Sequence, residues 1–298
     1  MHFSLKGYYC ICVFVCLLFE FPWNNLSLIG LNHFKMKKTF ILSSLLFFAF
    51  IINSKAQDDA AELAKKLANP IASLISVPFQ NNTDYGIGEF NGSRNTMNIQ
   101  PVVPVSISKD WNMITRIVLP VITQYNITAP GEKQAGLGDA VMSAFFSPAN
   151  SEKLTWGVGP ALLLPVGTND FLTTKKFGMG PTAVALKQMN GWTVGGLVNQ
   201  IWSVAGAEER ADVSQLFVQP FVTYNWKSGA GLGANMEWTQ NWKASTTTIW
   251  LNPTLSGVTS IGKQKTQFAI GPRLNLAAPT GGKADWGWRA VVVFLFPK

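Results

Sequence analysis

Histidine and cysteine are nearly missing from this chain of 298 residues. They occur only at His2, His33, Cys10, Cys12 and Cys16. From residue 57 onward the sequence therefore cannot form a Ser-His-Asp or Cys-His catalytic site, a common zinc site or a disulfide. These absences exclude the most familiar hydrolytic and metal-dependent chemistry. We expect no metal, no cofactor and no enzymatic activity.

Charge is also scarce, with 13% charged residues against 47% hydrophobic residues. The formal net charge is +8, but five lysines and one glutamate precede residue 57. The remainder holds 19 of the 24 basic and 15 of the 16 acidic residues, a net of +4. A balance this mild, without a basic stripe interleaved with aromatic residues, gives no support for a nucleic-acid partner.

No apolar run near the N-terminus is long enough for a transmembrane helix. Residues 8–19 and 40–52 are apolar, but a helix needs roughly 20 residues to cross a bilayer. The second run has the layout of a secretory signal, because Lys37 and Lys38 precede it and the small-residue sequence "SKA" follows it. An anchor at residues 8–19 is the competing interpretation, which leaves a signal-like sequence internal.

The signal predicts where the exported chain begins. We expect cleavage between Ala56 and Gln57, and translation starting at Met36, directly before the two lysines. Residues 1–35 are then an upstream extension and residues 36–56 the signal peptide. Since glutamine rather than cysteine follows the cleavage point, the sequence argues against a lipoprotein anchor.

The sequence from 76 to 298 alternates with the period of β-strands. Most of its predicted strands are ten to fourteen residues long, whereas a globular strand has about 5–6 and a tilted bilayer crossing needs about 9–11 or more. The twelve predicted strands are 83–90, 96–108, 111–122, 138–147, 154–165, 177–188, 192–203, 214–226, 230–243, 248–260, 265–277 and 286–296.

The connections between these strands alternate in length. The short ones are 109–110, 149–153, 189–191, 227–229 and 261–264. The long ones are 123–137, 166–176, 204–213 and 277–285, and a short connection at 244–247 is the exception. Outer-membrane barrels have short periplasmic turns and longer extracellular loops. With both termini in the periplasm, the short turns fall on the periplasmic side.

The two faces of each strand differ in the way that a membrane barrel requires. In strand 286–296, every second residue from Trp286 is apolar, and Arg289 lies on the other face. A soluble β-sandwich would instead turn its large apolar residues inward and its charges outward. Tryptophans near strand ends suit two interfacial girdles: Trp111, Trp156, Trp192, Trp202, Trp226, Trp242, Trp250 and Trp286. We predict an all-β fold, a single antiparallel transmembrane β-barrel of about twelve strands.

A short helix and linker over residues 57–75 precede the barrel. Pro70 ends the helix, and four apolar residues recur at helical spacing: Ala60, Leu63, Ala64 and Leu67. The helix either lies outside as a periplasmic stub, which is the simpler interpretation, or folds back into the barrel.

Prolines recur within the predicted strands, as in "VLPV" (118–121), "GPT" (180–182) and "GPR" (271–273). Proline donates no hydrogen bond to a strand ladder. Since a closed barrel has no edge, each proline must mark a bulge, a strand end or an unpaired position.

Several of these segments resemble the transporter family named for the MetA pathway of phenol degradation. They are "NPIASLISVPFQNN" (69–82), "NIQPVVPVSISKDWNMITRIVLPVITQ" (98–124), "GLGDAVMSAFFSP" (136–148), "WGVGPALLLPVGT" (156–168), "WTVGGLVNQIWS" (192–203) and "QPFVTYNW" (219–226). The resemblance implies an outer-membrane barrel of a Gram-negative bacterium that passes small solutes, among them aromatic or hydrophobic compounds. It supplies no functional residues.

We interpret the protein as a channel or transporter for an unidentified small solute, with outer-membrane lipid and the barrel-insertion machinery as its partners. About twelve strands leave a narrow lumen, and the candidate lumen-lining residues are Arg116, Asp139, Glu237, Arg273 and Arg289. Each could select a solute or, more simply, belong to ion pairs that stiffen the wall. A structural or adhesive barrel is the alternative, followed by an enzyme acting on lipid, for which no paired-carboxylate motif is present.

Overall fold

The computed structural model describes residues 57–151 and 154–296, which form one helix and a closed antiparallel β-barrel. The helix is α1 (Gln57–Leu67). The strands are β1 (Ile75–Ile87), β2 (Gly92–Ile99), β3 (Val102–Ser106), β4 (Trp111–Tyr125), β5 (Lys133–Leu137), β6 (Ala140–Pro148), β7 (Thr155–Leu164), β8 (Lys176–Met189), β9 (Trp192–Gly206), β10 (Ser214–Asn225), β11 (Ala230–Asn241), β12 (Thr246–Ile261), β13 (Gln264–Ala277) and β14 (Trp286–Phe296).

Twelve wall strands make up the barrel. β2 and β3 form one wall strand that is interrupted at residues 100–101, and β5 and β6 form another that is interrupted at residues 138–139. Each wall strand pairs antiparallel with the next, and β14 pairs with β1 from Ile75↔Phe296 to Tyr85↔Trp286. The predicted fold, a single twelve-strand antiparallel barrel preceded by a short helix, is confirmed.

Two boundaries differ from the prediction. β1 already begins at Ile75, whereas the first strand was expected at 83–90. The connection expected over 123–137 is shorter, because β4 continues to Tyr125 and β5 pairs with it from Lys133. In both places the paired strands contain polar residues among apolar ones. The polar residues made these parts of the sequence look less like strand than they are.

The two faces of the wall have different surroundings. Along β14, Trp286 is 56% exposed, whereas Arg289 is 2% exposed and lies on the interior face. The same division holds in β13, where Phe268, Ile270 and Leu274 are exposed and Arg273 is buried. This is the arrangement that the alternation predicts, with apolar side chains outside and polar ones inside.

Three of the prolines follow a glycine and coincide with gaps in strand pairing. They are in Gly159-Pro160 of β7, Gly180-Pro181 of β8 and Gly271-Pro272 of β13. At Gly271, a Cβ would lie 1.8 Å from the carbonyl oxygen of Pro253 on β12, and pairing skips from Leu274 to Ile270. Proline has no N–H to bond that carbonyl. Because glycine has no Cβ, the carbonyl oxygen of Pro253 can instead lie close to the backbone of Gly271. These prolines therefore mark positions that are unpaired with one neighbouring strand and paired with the other.

Residues 57–74, here named the N-terminal segment, pack against interior-facing residues of strands on different sides of the barrel. Leu63 and Leu74 form a buried cluster with Val293 and Leu295 of β14. Ile71 belongs to a second cluster with residues of β4, β6, β8 and β9: Ile114, Phe145, Val184, Leu186 and Leu197. The simpler expectation of an external stub is wrong, because this segment has an apolar surface that these interior residues cover.

The N-terminal segment also makes polar contacts with the wall. Nδ2 of Asn225 donates to the carbonyl of Ala64 at 3.4 Å, and Nε2 of Gln188 donates to the carbonyl of Lys65 at 2.8 Å. All contacts lie toward the end at which β1 begins and β14 ends, here named the terminal end. In the described part of the chain, no helix has the length and hydropathy to cross a membrane.

Candidate functional site in the barrel interior

Two arginines and two carboxylates form a charged cluster on the interior of the wall. Its members, Asp84, Glu237, Arg273 and Arg289, come from β1, β11, β13 and β14. Nη2 of Arg289 lies 2.7 Å from Oε1 of Glu237, and Nε of Arg273 lies 2.9 Å from Oδ1 of Asp84. Nη1 of Arg273 lies 3.5 Å from Oε2 of Glu237. The cluster carries no net charge and joins strands that are not neighbours.

Asparagine side chains complete this charged cluster. Nε of Arg289 donates to Asn82 at 2.8 Å, and Nη1 of Arg273 donates to Asn252 at 3.1 Å. Nδ2 of Asn252 in turn donates to Oδ1 of Asn235 at 3.0 Å. Strand register places these groups together, because Asn82 pairs with Arg289 and Asn235 with Asn252. Buried charges are tolerated when they are paired and hydrogen-bonded in this way.

Trp250 lies in the interior beside the same cluster. It pairs with Glu237 across the β11–β12 ladder, and the guanidinium carbon of Arg273 lies 4.2 Å from the centre of its ring. The expectation that Trp250 contributes to an outer girdle is therefore wrong. Its position near a strand end was misleading, because the register that pairs it with Glu237 turns its side chain inward, where the cation of Arg273 stacks on the ring face.

Arg116, another sequence-predicted candidate, lies apart from the charged cluster. Its Nη2 donates to Oε1 of Gln100 at 2.6 Å. Arg94, which the sequence analysis did not single out, is bonded in a similar way, since its Nε donates to Gln124 at 2.9 Å. The interior thus has arginines of two kinds, one kind paired with carboxylates and the other bonded to neutral amides.

Asp139, the remaining candidate, holds the loop over residues 165–175. It lies in the break between β5 and β6 and accepts hydrogen bonds from the hydroxyls of Thr173 and Thr174, both at 2.6 Å. The backbone N–H groups of Thr174 and Gly167 also donate to it, at 2.6 and 3.2 Å. The structure therefore brings Glu237, Arg273 and Arg289 together and places Arg116 and Asp139 elsewhere.

The loops over residues 165–175 and 207–213 are tied to each other and to the wall. Arg210 donates to the carbonyls of Asp170 and Thr173, and Nζ of Lys176 lies 3.2 Å from Oδ1 of Asp212. The hydrogen bond from Lys176, together with one from Ser203, lowers the pKa of the Asp212 carboxyl from its ordinary value. These contacts fix two loops at the end of the barrel away from the N-terminal segment.

A cavity of about 270 Å³, here named the central cavity, lies between the N-terminal segment and the wall. Residues 66–70 line one part of it. The wall contributes Arg116, Gln100, Asn235, Gln80, Gln219, Gln267 and Thr223, together with Leu197, Phe221, Val291 and Val293. The cavity therefore has a polar side that includes one arginine and a side that is apolar.

Asp84, Asn82, Asn235 and Asn252 are interior residues that were not proposed as lumen-lining from the sequence. A usable signal existed, because Asn82 and Asp84 are separated by one residue, as are Asn235 and Glu237. Within residues 57–151 and 154–296, no group of three or more histidine, cysteine, aspartate or glutamate side chains could hold a metal ion. The arrangement offers hydrogen-bonding groups and fixed charges that can bind polar solutes.

A known structure shares this architecture. The structure resembles the COG4313 outer membrane channel from Pseudomonas putida F1 with a TM-score of 0.58 and 17% sequence identity, over 75% of this chain and 94% of that one. This similarity shows that the two proteins share a fold.

Two structures of OmpT, an outer membrane protein of Vibrio cholerae, are more distant. Their TM-scores are 0.35 and 0.36, with 7% and 8% identity, over 74% of this chain and 98% and 96% of theirs. Scores this low carry no argument about fold or function. No family model matches the chain, and no curated protein is similar enough to count as a match.

Proposed function

We propose that this protein is a channel of the outer membrane of a Gram-negative bacterium, through which small solutes pass. The observation that carries the proposal is a closed barrel with an apolar outer face, a polar interior and a cavity inside the wall. An outer face of this kind fits lipid, whereas a soluble barrel would turn its charges to water. Outer-membrane lipid and the barrel-insertion machinery are the partners that such a protein requires.

The resemblance of the proline-bearing segments to the phenol-degradation transporter family supports the same function. The neighbour of known structure is described as an outer membrane channel, and COG4313 corresponds to that family. We therefore include aromatic and hydrophobic compounds among the solutes. The terminal end of the barrel then faces the periplasm, because β14 ends there and β1 begins there.

In this orientation the N-terminal segment occupies the periplasmic end of the lumen. Leu63, Ile71 and Leu74 are buried against interior wall residues. The segment is proposed to close this end of the lumen at rest, so that a solute passing from outside to the periplasm has to displace it. The channel then opens when the N-terminal segment shifts.

A reversible cross-link tests this proposal. Asn225 donates to the carbonyl of Ala64, and the sequence from residue 57 contains no cysteine, so Ala64→Cys with Asn225→Cys gives one defined pair. Joined by a cleavable thiol cross-linker in a planar bilayer, the double variant should lose its conductance and regain it on reduction. Each single variant, treated in the same way, should keep the channel openings of the wild type before and after reduction.

Deleting residues 57–72 gives the opposite change, a persistently open pore with faster solute entry in liposome swelling. A folded full-length protein and a folded deletion variant that both fail to conduct ions or admit solutes would overturn the channel. That result would favour a structural or adhesive barrel, which predicts envelope or adhesion defects without a transport defect.

A further inference from the structure

We propose that the central cavity binds a small organic monoanion with an apolar body, and that Arg116 is the group that recognises its charge. This inference rests on the proposed channel function and names the class of solute for which the cavity is built. It depends on three features of the cavity: the bonding of Arg116, the division of the lining into two sides, and the volume.

Arg116 has donors to spare. A guanidinium has five N–H donors, and among the described residues the side chain that accepts one from Arg116 is the neutral Gln100. Arg273 and Arg289, by contrast, each contact a carboxylate at 2.9 Å or less. An anion entering the central cavity therefore meets a guanidinium that no protein carboxylate neutralises by direct contact.

The other residues that line the central cavity add no further unpaired charge, so the site suits a solute with a single negative charge. Lys66, at the edge of the central cavity, is paired with Glu62 at 2.7 Å. The other polar lining groups are neutral amides and hydroxyls, such as Gln80, Gln219 and Asn235. Because Arg116 is one lining cation that no carboxylate contacts directly, a single carboxylate matches it, whereas inorganic phosphate, mostly a dianion at pH 8, keeps unpaired charge in a confined space.

The apolar side of the lining fits the rest of the solute. Leu197, Phe221, Val291 and Val293 line it, and apolar surface removed from water contributes roughly 25 cal/mol per Å². An apolar cavity of about 150 Å³ engineered in another protein binds benzene. The central cavity, at about 270 Å³, has room for one ring and a carboxylate beside it.

Binding is measured on the full mature chain, folded in detergent, by titration calorimetry at pH 8, where inorganic phosphate is mostly a dianion. The four probes are benzoate, benzyl alcohol, acetate and inorganic phosphate. Benzoate should bind best, and benzyl alcohol, acetate and phosphate should each bind at least tenfold more weakly. Benzyl alcohol tests the charge, acetate tests the apolar body, and phosphate tests the preference for a monoanion.

Two arginine variants form a matched pair. Arg116→Gln should weaken benzoate binding at least tenfold and leave benzyl alcohol binding unchanged, whereas Arg94→Gln should leave both unchanged, since Arg94 does not line the central cavity. A third variant, Val291→Phe, fills the cavity without removing Arg116 and should also abolish benzoate binding. Folding of each variant is checked by its resistance to unfolding in cold SDS.

Equal benzoate affinity in wild type and in folded Arg116→Gln would overturn the inference, as would phosphate binding as tight as that of benzoate. Should Arg116→Gln not fold, unchanged affinity in Val291→Phe would overturn it instead. The measurement involves no transport. A protein that conducts but does not bind benzoate disproves this inference alone, and one that binds benzoate but never conducts disproves the channel.

Discussion

Nη2 of Arg289 lies 2.7 Å from Oε1 of Glu237, although β12 and β13 separate the strands that carry them. Side chains on such strands can meet only across the concave interior of the wall. Glu237 also lies 3.5 Å from Arg273, which in turn contacts Asp84 of β1. One carboxylate therefore links the last strands of the chain to the first.

Removing the charge of Glu237 should destabilise the barrel. In Glu237→Gln, Arg289 keeps amide contacts but loses its carboxylate, which leaves a buried guanidinium without a counter-charge. Breaking a buried ion pair costs about 3–5 kcal/mol. Because the Glu237 side chain is 18% exposed, we expect the free energy of unfolding to fall by about 3 kcal/mol, measured by urea unfolding in lipid vesicles.

Glu208→Gln is the control for Glu237→Gln, since Glu208 is exposed on an outer loop and its substitution should change stability by less than about 0.5 kcal/mol. If Glu237→Gln is as stable as this control, the charged cluster does not brace the wall. In planar bilayers, Glu237→Gln should also shift ion selectivity toward anions, because the interior loses a negative charge.

Weakening the packing of the N-terminal segment against the wall should increase channel opening. Leu63→Ser removes a buried apolar side chain from the cluster with Leu74, Val293 and Leu295, and such a loss costs about 2–4 kcal/mol of docking free energy. The barrel strands keep their contacts, so the open fraction in single-channel recordings should rise while the folded yield is unchanged.

The control is Lys65→Ser, on an exposed position of the same helix, which should conduct like wild type. Similar opening in both variants would show that packing does not hold the segment.

Two glycines where β12 and β13 pair should differ sharply in how much stability the protein loses when each is replaced by alanine. A Cβ at Gly271 would overlap the carbonyl oxygen of Pro253, whereas a Cβ at Gly257 has no atom within 4 Å. Gly271→Ala should therefore lower the free energy of unfolding by about 3 kcal/mol through overpacking, and Gly257→Ala should be nearly neutral. The measurement is the urea midpoint of each refolded variant, and equal midpoints would contradict the close approach.

The loops over residues 165–175 and 207–213 should become less tightly held to the wall in acid. Bonds from Lys176 and Ser203 hold the pKa of Asp212 below its ordinary value, so the stabilisation that Asp212 provides is full above that ordinary value, about 3.9. It is lost as the pH falls through the lowered pKa. Protonation also leaves Lys176, whose side chain is 9% exposed, without its partner.

Amide hydrogen exchange over residues 207–213, corrected for its intrinsic pH dependence, checks this expectation. Protection should be constant from pH 7 to 5 and fall below about pH 4. In Asp212→Asn, protection should already be low at pH 7 and show no acid step. If protection fell by the same amount below about pH 4 in that variant, a group other than Asp212 would be responsible for the loss.

The sequence predicts the wall of this barrel better than its contents. Alternation alone separates Trp286 from Arg289, because each side of a membrane barrel wall has one kind of solvent. It does not decide which carboxylate Arg289 contacts. Glu237 and Asp139 were both candidate lumen-lining residues, and the choice of Glu237 depends on the register of the three ladders between β11 and β14, to which each connection contributes.

The position of the N-terminal segment could not be derived from helical spacing, because Leu63 and Leu67 show that a helix has an apolar side but not what covers it. One signal was available. Val291, Val293 and Leu295 lie on the same face of β14 as Arg289, and a water-filled lumen does not explain three apolar residues there. Such a patch indicates that something apolar packs on the inside.

The seam between β1 and β14 constrains how the molecule is assembled. The strands that close the barrel, β1 and β14, are the first and the last wall strands in the sequence, so the ring cannot shut until every other wall strand is in place. The N-terminal segment precedes all of these strands and lies inside the finished ring. The wall is therefore completed around this segment, or the segment enters afterwards through the terminal end, and the two routes differ in whether the segment acts as a template for the wall.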